Sequence, residues 1–270
     1  MKRGGNRGLR GFGRTCVIAA AAVTAGAANM AADDLCGATI TTDLKLEQDL
    51  SCAGNGLTVG ADGIKLHLNG YTISGSGSGV GITVIGRTGV SISGGTVRNF
   101  TTGVLVMNST TVVIKDNRIV DNGGDGVDLQ AGSVGNTVKE NYFEGNLTRG
   151  IMLRSNTSAN HIKENTFTGN RVGILLFGTS GATVKENTLS SNLLAAIRVN
   201  VIATGNLLAE NIAISNPAGI EFLITPTGSS TGNTLRENTL ALNTCGLKGP
   251  LAGNTLTENV FQGNTADTCP

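Results

Sequence analysis

The sequence predicts an all-β fold: a right-handed, single-stranded parallel β-helix of about nine coils, with three parallel sheets and capped ends. Three observations predict it. A Gly-apolar-x-apolar unit recurs at Gly81, Gly103, Gly126, Gly150, Gly173, Ala196, Gly219 and Gly246, at steps of 22 to 27 residues. Within each unit the apolar residues alternate, as in Val127/Leu129 and Ile151/Leu153, and a period of two is a strand signal. Asn residues close the following segments at the same interval. A helical solenoid fails on the same pattern, because Gly and Asn interrupt the chain every eight to ten residues.

In chain order, residues 1–28 read as an export signal. Lys2, Arg3, Arg7, Arg10 and Arg14 precede an Ala-rich apolar stretch, Cys16 to Ala28. About 13 apolar residues are too few to cross a bilayer. Residues 33–56 are assigned to an N-terminal cap, and residues 57–270 to the repeats with a C-terminal cap near Cys269.

Each coil reads as three short strands. Ile114, Val138, Ile162, Val184 and Leu208 share one inward column, and Ile119, Phe143, Phe167, Leu189 and Ala213 share another. Three such strands bury nothing alone, but stacked coils enclose one continuous apolar interior. Two Asn columns, Asn117 to Asn259 and Asn122 to Asn264, mark the corners. Asn tolerates the left-handed backbone of a sharp corner, and stacked amides hydrogen-bond from coil to coil.

Composition narrows the function classes. The chain holds 40 Gly, no Trp, two Tyr and two His, His67 and His161. Removing residues 1–28 takes five bases and no acid, leaving 15 bases against 19 acids, net −4. Such a chain lacks the basic footprint of a nucleic-acid binder. Four Cys remain, and their spacing favours Cys36–Cys52 and Cys245–Cys269, one local loop at each end. Each loop contributes about 3 kcal/mol by restricting the unfolded chain.

The stretch CGATITTDLKLEQDLSCAGNGLTVGADGIKLHLNGYTISG from Cys36, with the repeats behind it, resembles exported bacterial proteins with right-handed parallel β-helix repeats. That group includes pectate lyases, polygalacturonases, alginate epimerases and the NosD-type accessory proteins of nitrous oxide reductase. The resemblance covers nearly all of the mature chain and rests on core and corner positions. It implies a carbohydrate-related function and carries no catalytic residue across. The clustered Asp motifs of the polygalacturonases and the Tyr-Gly-x-Asp-Pro-His motif of the epimerases are absent. The copper association of the NosD type finds His67 and His161 isolated.

The resemblance also implies a ligand groove along the outer face of the first sheet. Asp125, Asp128, Gln130, Met152, Arg154, Phe177, Arg198 and Glu221 are expected to line it. Asp128 and Glu221 lie four coils apart, about 19 Å at strand spacing, so they are not a glycosidase carboxylate pair. Asp128 and Arg154 are the candidate catalytic residues. Asp121, Asp125 and Asp128 are the candidate ligands for a Ca²⁺ ion, which a lyase would use against a uronate; no other cofactor is expected. Arg198, Glu221 and Lys248 stack at one position on successive coils and are expected to pair. A second charged stripe runs from Asp116 to Glu258 beside Lys115, Lys139, Lys163, Lys185 and Arg236, and reads as a solvated, mutually screened surface.

The resulting expectation is a secreted or periplasmic monomer, without a membrane span or a nucleic-acid partner. It would bind polysaccharide or an envelope or surface protein as a non-catalytic scaffold. A polysaccharide lyase, epimerase or hydrolase, and a NosD-type copper accessory protein, are the alternatives. Convergence of Asp125, Asp128 and Arg154 would favour the lyase. The longest extra segment, Thr225–Gly232, is a further place for function.

Overall fold

The computed structural model describes residues 35–270 apart from 201, 225 and 227. The expected export signal lies outside the described residues, as do parts of the Thr225–Gly232 segment. The described chain is all β, with no helix. It winds into a right-handed parallel solenoid of about ten turns, with sheets of eleven, ten and ten strands. Every pairing is parallel and joins a strand to its equivalent one coil away. The first sheet already includes Thr39–Ile40 and ends at Ala266–Cys269.

The register follows the repeat. Val104, Val127, Ile151, Ile174, Ile197 and Ile220 pair in succession and are fully buried. Phe143 and Phe167 share an inward column of the third sheet and stack at 4.8 Å with an interplanar angle of 6°. The Gly that opens each unit makes room at the corner. A Cβ on Gly150 would sit 2.5 Å from the Phe167 ring and 2.7 Å from the Gly173 carbonyl oxygen.

The corners differ from expectation in one respect. The left-handed residue is the one before each Asn, not the Asn itself. Asp116, Glu140, Glu164, Glu186, Glu210, Glu237 and Glu258 all have φ between 54° and 57°. The Asn that follows turns inward and is buried, apart from half-buried Asn259, so its amide rather than its backbone tolerance is what the corner uses. Asn165 is representative. Its Oδ1 accepts from the backbone N–H and Nδ2 of Asn141, at 3.0 and 3.1 Å. Its Nδ2 donates to Val138 O, Lys163 O and Asn187 Oδ1 at 2.9, 2.9 and 3.0 Å. A third, interrupted ladder runs through Asn136 and Asn160 and again through Asn206, Asn233 and Asn254.

Disulfides tie both ends. Cys36 bonds Cys52 and Cys245 bonds Cys269. The second bond holds the last coil to its neighbour, where coverage thins and Leu256 and Val260 become exposed.

Candidate functional site

The outer face of the first sheet carries two ionic clusters with an apolar interval between them. The first sits on Asp125–Leu129 and Arg149–Leu153, paired in register. Alternation points Val127 and Leu129 inward and Asp128 outward. Arg154 closes on Asp128 with a forked contact: Nε donates to Oδ1 at 2.8 Å and the terminal Nη2 to Oδ2 at 2.9 Å. Gln130 Nε2 donates to the same Oδ2 at 2.9 Å. Asp125 accepts from Arg149 at 3.1 and 3.3 Å and from the Thr148 hydroxyl. Arg154 also lies 3.9 Å from Asp125, so the two carboxylates share one guanidinium. The hydrogen bonds to Asp128 hold Arg154 above the usual arginine value, against the opposing effect of burial.

The second cluster stacks Arg198, Glu221 and Lys248 on three consecutive coils. Arg198 Nε donates to Glu221 Oε2 at 2.6 Å, and Lys248 Nζ lies 2.9 Å from Oε1. Glu221 is therefore bound from both sides.

Between the clusters, Met152, Val172 and Leu175 form a small apolar group separate from the solenoid interior. Half-buried Phe177 and Leu194 pack against it and present its exposed surface.

The vertical order within each cluster is consistent. The side chains of Asp125, Asp128 and Glu221 are 7, 4 and 4% exposed, whereas those of Arg149, Arg154 and Lys248 are 31, 42 and 46% exposed. The acids lie beneath and the bases face solvent. Buried carboxylates with multiple charged donors are held in one geometry.

Asp125, Asp128, Gln130 and Arg154 thus converge, Met152 lies beside Phe177's patch, and Arg198 meets Glu221. Asp121 does not join them. It stands exposed and left-handed at the corner before Asn122, while Asp125 and Asp128 turn under guanidinium groups. Among the described residues, no three His, Cys, Asp or Glu side chains gather as a metal-holding group, so the expected Ca²⁺ set is not assembled. Sequence reasoning missed Arg149, Thr148, Val172 and Leu194. Aligning the residues just before each repeat Gly shows Asp125, Arg149 and Val172 in one column, which was the available signal.

The parallel register, three-sheet coil and laddered corners define a right-handed parallel β-helix protein with a charged outer face. Residues 50–189, more than half of the chain, match the family model described as the right handed beta helix region, and the chain belongs to that family. Residues 146–268 match the model described as periplasmic copper-binding protein (NosD). No curated protein matches.

Solved structures share the fold. An alginate lyase from Paenibacillus sp. str. FPU-7 superposes with a TM-score of 0.59 at 17% identity, covering 83% of this chain and 90% of that one. The periplasmic alginate epimerase AlgG gives 0.65 at 16%, covering 76% and 55%. A tailspike protein of E. coli bacteriophage HK620, in complex with a pentasaccharide, gives 0.64 at 12%, covering 86% and 52%. The chain spans about half the length of the epimerase and the tailspike.

The NosD match raises copper, and the described residues do not fit it. His67 and His161 are both exposed on the second sheet, four coils or about 19 Å apart. His67 Nδ1 already accepts the Asn69 backbone N–H. All four described cysteines are in disulfides. Imidazole and thiolate ligands are therefore not brought together among the described residues.

Proposed function

We propose that this chain is an exported, non-catalytic β-helix that binds an acidic polysaccharide along the outer face of its first sheet. One observation carries the reading: bases lie outermost on that face, over buried carboxylates already satisfied by them. The cluster residues Asp125, Asp128 and Glu221 against Arg149, Arg154, Arg198 and Lys248 sum to +1, in a mature chain expected to be net −4. Guanidinium groups with free edges suit sugar carboxylates. Fold neighbours named for alginate and oligosaccharide support a saccharide ligand. The two disulfides and the match to a periplasmic family support export. Among the described residues no helix is long and apolar enough to cross a membrane.

A second reading, an alginate-type lyase or epimerase, is favoured by the convergence of Asp125 and Asp128 on the Arg154 guanidinium. Against it, Arg154 is held in its charged form and is no proton acceptor, and both carboxylates are tied.

Titration calorimetry of the mature protein with acidic oligosaccharides, followed by mass spectrometry and NMR of the sugars, tests both. Saturable binding with unchanged sugars is expected. New unsaturated ends or inverted C5 centres would establish the enzymatic reading. No binding to any acidic glycan would sink the first.

A further inference from the structure

The corner between the third and first sheets carries features that the polysaccharide reading leaves unused. The residues that follow Asn122, Asn146, Asn170 and Asn192, successive rungs of one ladder, stack there on consecutive coils. They are Gly123, Leu147, Arg171 and Leu193. The leucines are 69 and 65% exposed, and exposed Arg171 stands between them. Toward the N-terminal end the corner opens into a hollow of about 530 Å³, room for more than one aliphatic side chain. Gly75, Gly77, Gly123 and Gly145 keep it open, and Asp121 and Leu147 complete its wall. Asp121 is exposed, and among the described residues neither it nor Arg171 enters an ion pair.

These features are symmetric about the coil of Leu147. Asp121 lies one coil before it and Arg171 one coil after. Asn99 lies two coils before and Leu193 two after. Gly75 and Gly77 lie three before, and Pro217, also exposed, three after. One strand spacing, about 4.8 Å, separates each coil from the next, so matching one pair aligns all the others. A second copy laid antiparallel on this corner, with a two-fold axis at Leu147, puts Arg171 of each chain against Asp121 of the other. The two Leu147 side chains meet at the axis, and Leu193 and Pro217 enter the other copy's hollow. A surface that complements itself in this way is what an isologous dimer requires. The like charges nearest the axis, Glu144 and Arg149, sit on the two sheets that fall away from the corner. Each is tied to an opposite charge in its own chain, Arg118 and Asp125.

We infer that the chain pairs with a second copy of itself along this corner, in place of the expected monomer. The inference goes beyond the polysaccharide reading and does not rest on it. The strip is narrow and about 29 Å long, six strand spacings. It buries less than the roughly 1,200 Å² of a stable complex, so the dimer is weak and reversible. Opposite charges set its direction and register more than its strength.

Analytical ultracentrifugation of the mature protein at low salt, from about 5 to about 500 µM, tests it. A concentration-dependent shift from monomer to dimer is expected. Arg171→Glu or Asp121→Lys alone is expected to weaken dimerisation at least about fivefold, and the double variant to recover most of that loss. Left-handed corner positions accept side chains, as at Ser191 and Leu242, so Asp121→Lys leaves the fold intact. A second measurement fixes the axis. Under mild oxidation Leu147→Cys is expected to form a disulfide-linked dimer. Leu193→Cys is not, because its two copies stand four coils apart, about 19 Å, beyond disulfide reach. A monomer at every concentration overturns the inference. So does a dimer that neither charge reversal weakens, a loss that the double variant does not recover, or equal cross-linking of the two cysteine variants.

Discussion

Asn165→Ala removes one rung from the middle of a buried ladder. The Asn165 Oδ1 accepts two hydrogen bonds, and its Nδ2, with two hydrogens, lies within reach of three acceptors, two of them on neighbouring coils. Truncation leaves the Asn141 backbone N–H buried without its partner, which costs about 1–3 kcal/mol. The two donated bonds of the amide add roughly 1 kcal/mol each before relaxation. Allowing for partial re-pairing, the expected loss is about 4 kcal/mol. At 2–4 °C per kcal/mol for a chain of this size, the melting temperature falls by roughly 10 °C. Asn264→Ala is the matched control, because Asn264 is the half-buried last rung and receives no further coil. It strands the Asn243 backbone N–H, but at a part-buried end that water reaches, so its expected cost is smaller, about 2 kcal/mol. Thermal melts by far-ultraviolet circular dichroism of both variants, with amide exchange on the coils flanking Asn165, make the measurement. Equal shifts in the two variants, or a shift below about 2 °C for Asn165→Ala, would show that the ladders do not hold the coils together.

Three further outcomes are expected. Glu164 sits at φ 57°, where Gly is unstrained and a β-branched residue is not. Glu164→Gly should therefore be near neutral in urea melts, while Glu164→Val loses about 1–2 kcal/mol. Arg154→Met strands the buried Asp128 carboxylate and is expected to lose about 3 kcal/mol, most of it recovered in Asp128→Leu/Arg154→Met; no recovery in the double variant would contradict the pairing argument. Hydrogen bonding to Lys185 holds Glu186 below the usual glutamate value. A depressed folded value means that its contribution is present above the unfolded value and lost as pH falls through the folded one. NMR titration should thus find the Glu186 midpoint low, and raised by Lys185→Ala or high salt.

The solenoid was readable because its periodicity is redundant. Each inward column repeats over many coils, so a single unfavourable residue such as Ala213 does not obscure it. The corner mechanism was harder to read. Asn and the preceding acid recur together at every turn, and sequence spacing does not say which of the two takes positive φ. The third ladder was missed because Ala182 interrupts it and Val112 holds the position before its first rung, although Gly135-Asn136, Gly205-Asn206 and Gly232-Asn233 repeat the pattern. At the site, Asp128 and Arg154 were found on neighbouring coils by column alignment alone. That Arg154 reaches back across a coil while Arg198 reaches forward depends on rotamers, which strand periodicity does not encode.

Coils in this molecule differ in length, yet the two corner amide ladders pass through them unbroken: Asn165 to Asn187 spans 22 residues and Asn211 to Asn238 spans 27. Extra residues are taken up in the outer loops, and the contact surface that each coil offers its neighbour is nearly constant. A gene encoding such a chain can gain or lose a whole turn by unequal recombination between equivalent rungs without remaking the interior. The reach of the outer face is then a heritable length, adjustable in steps of one strand spacing.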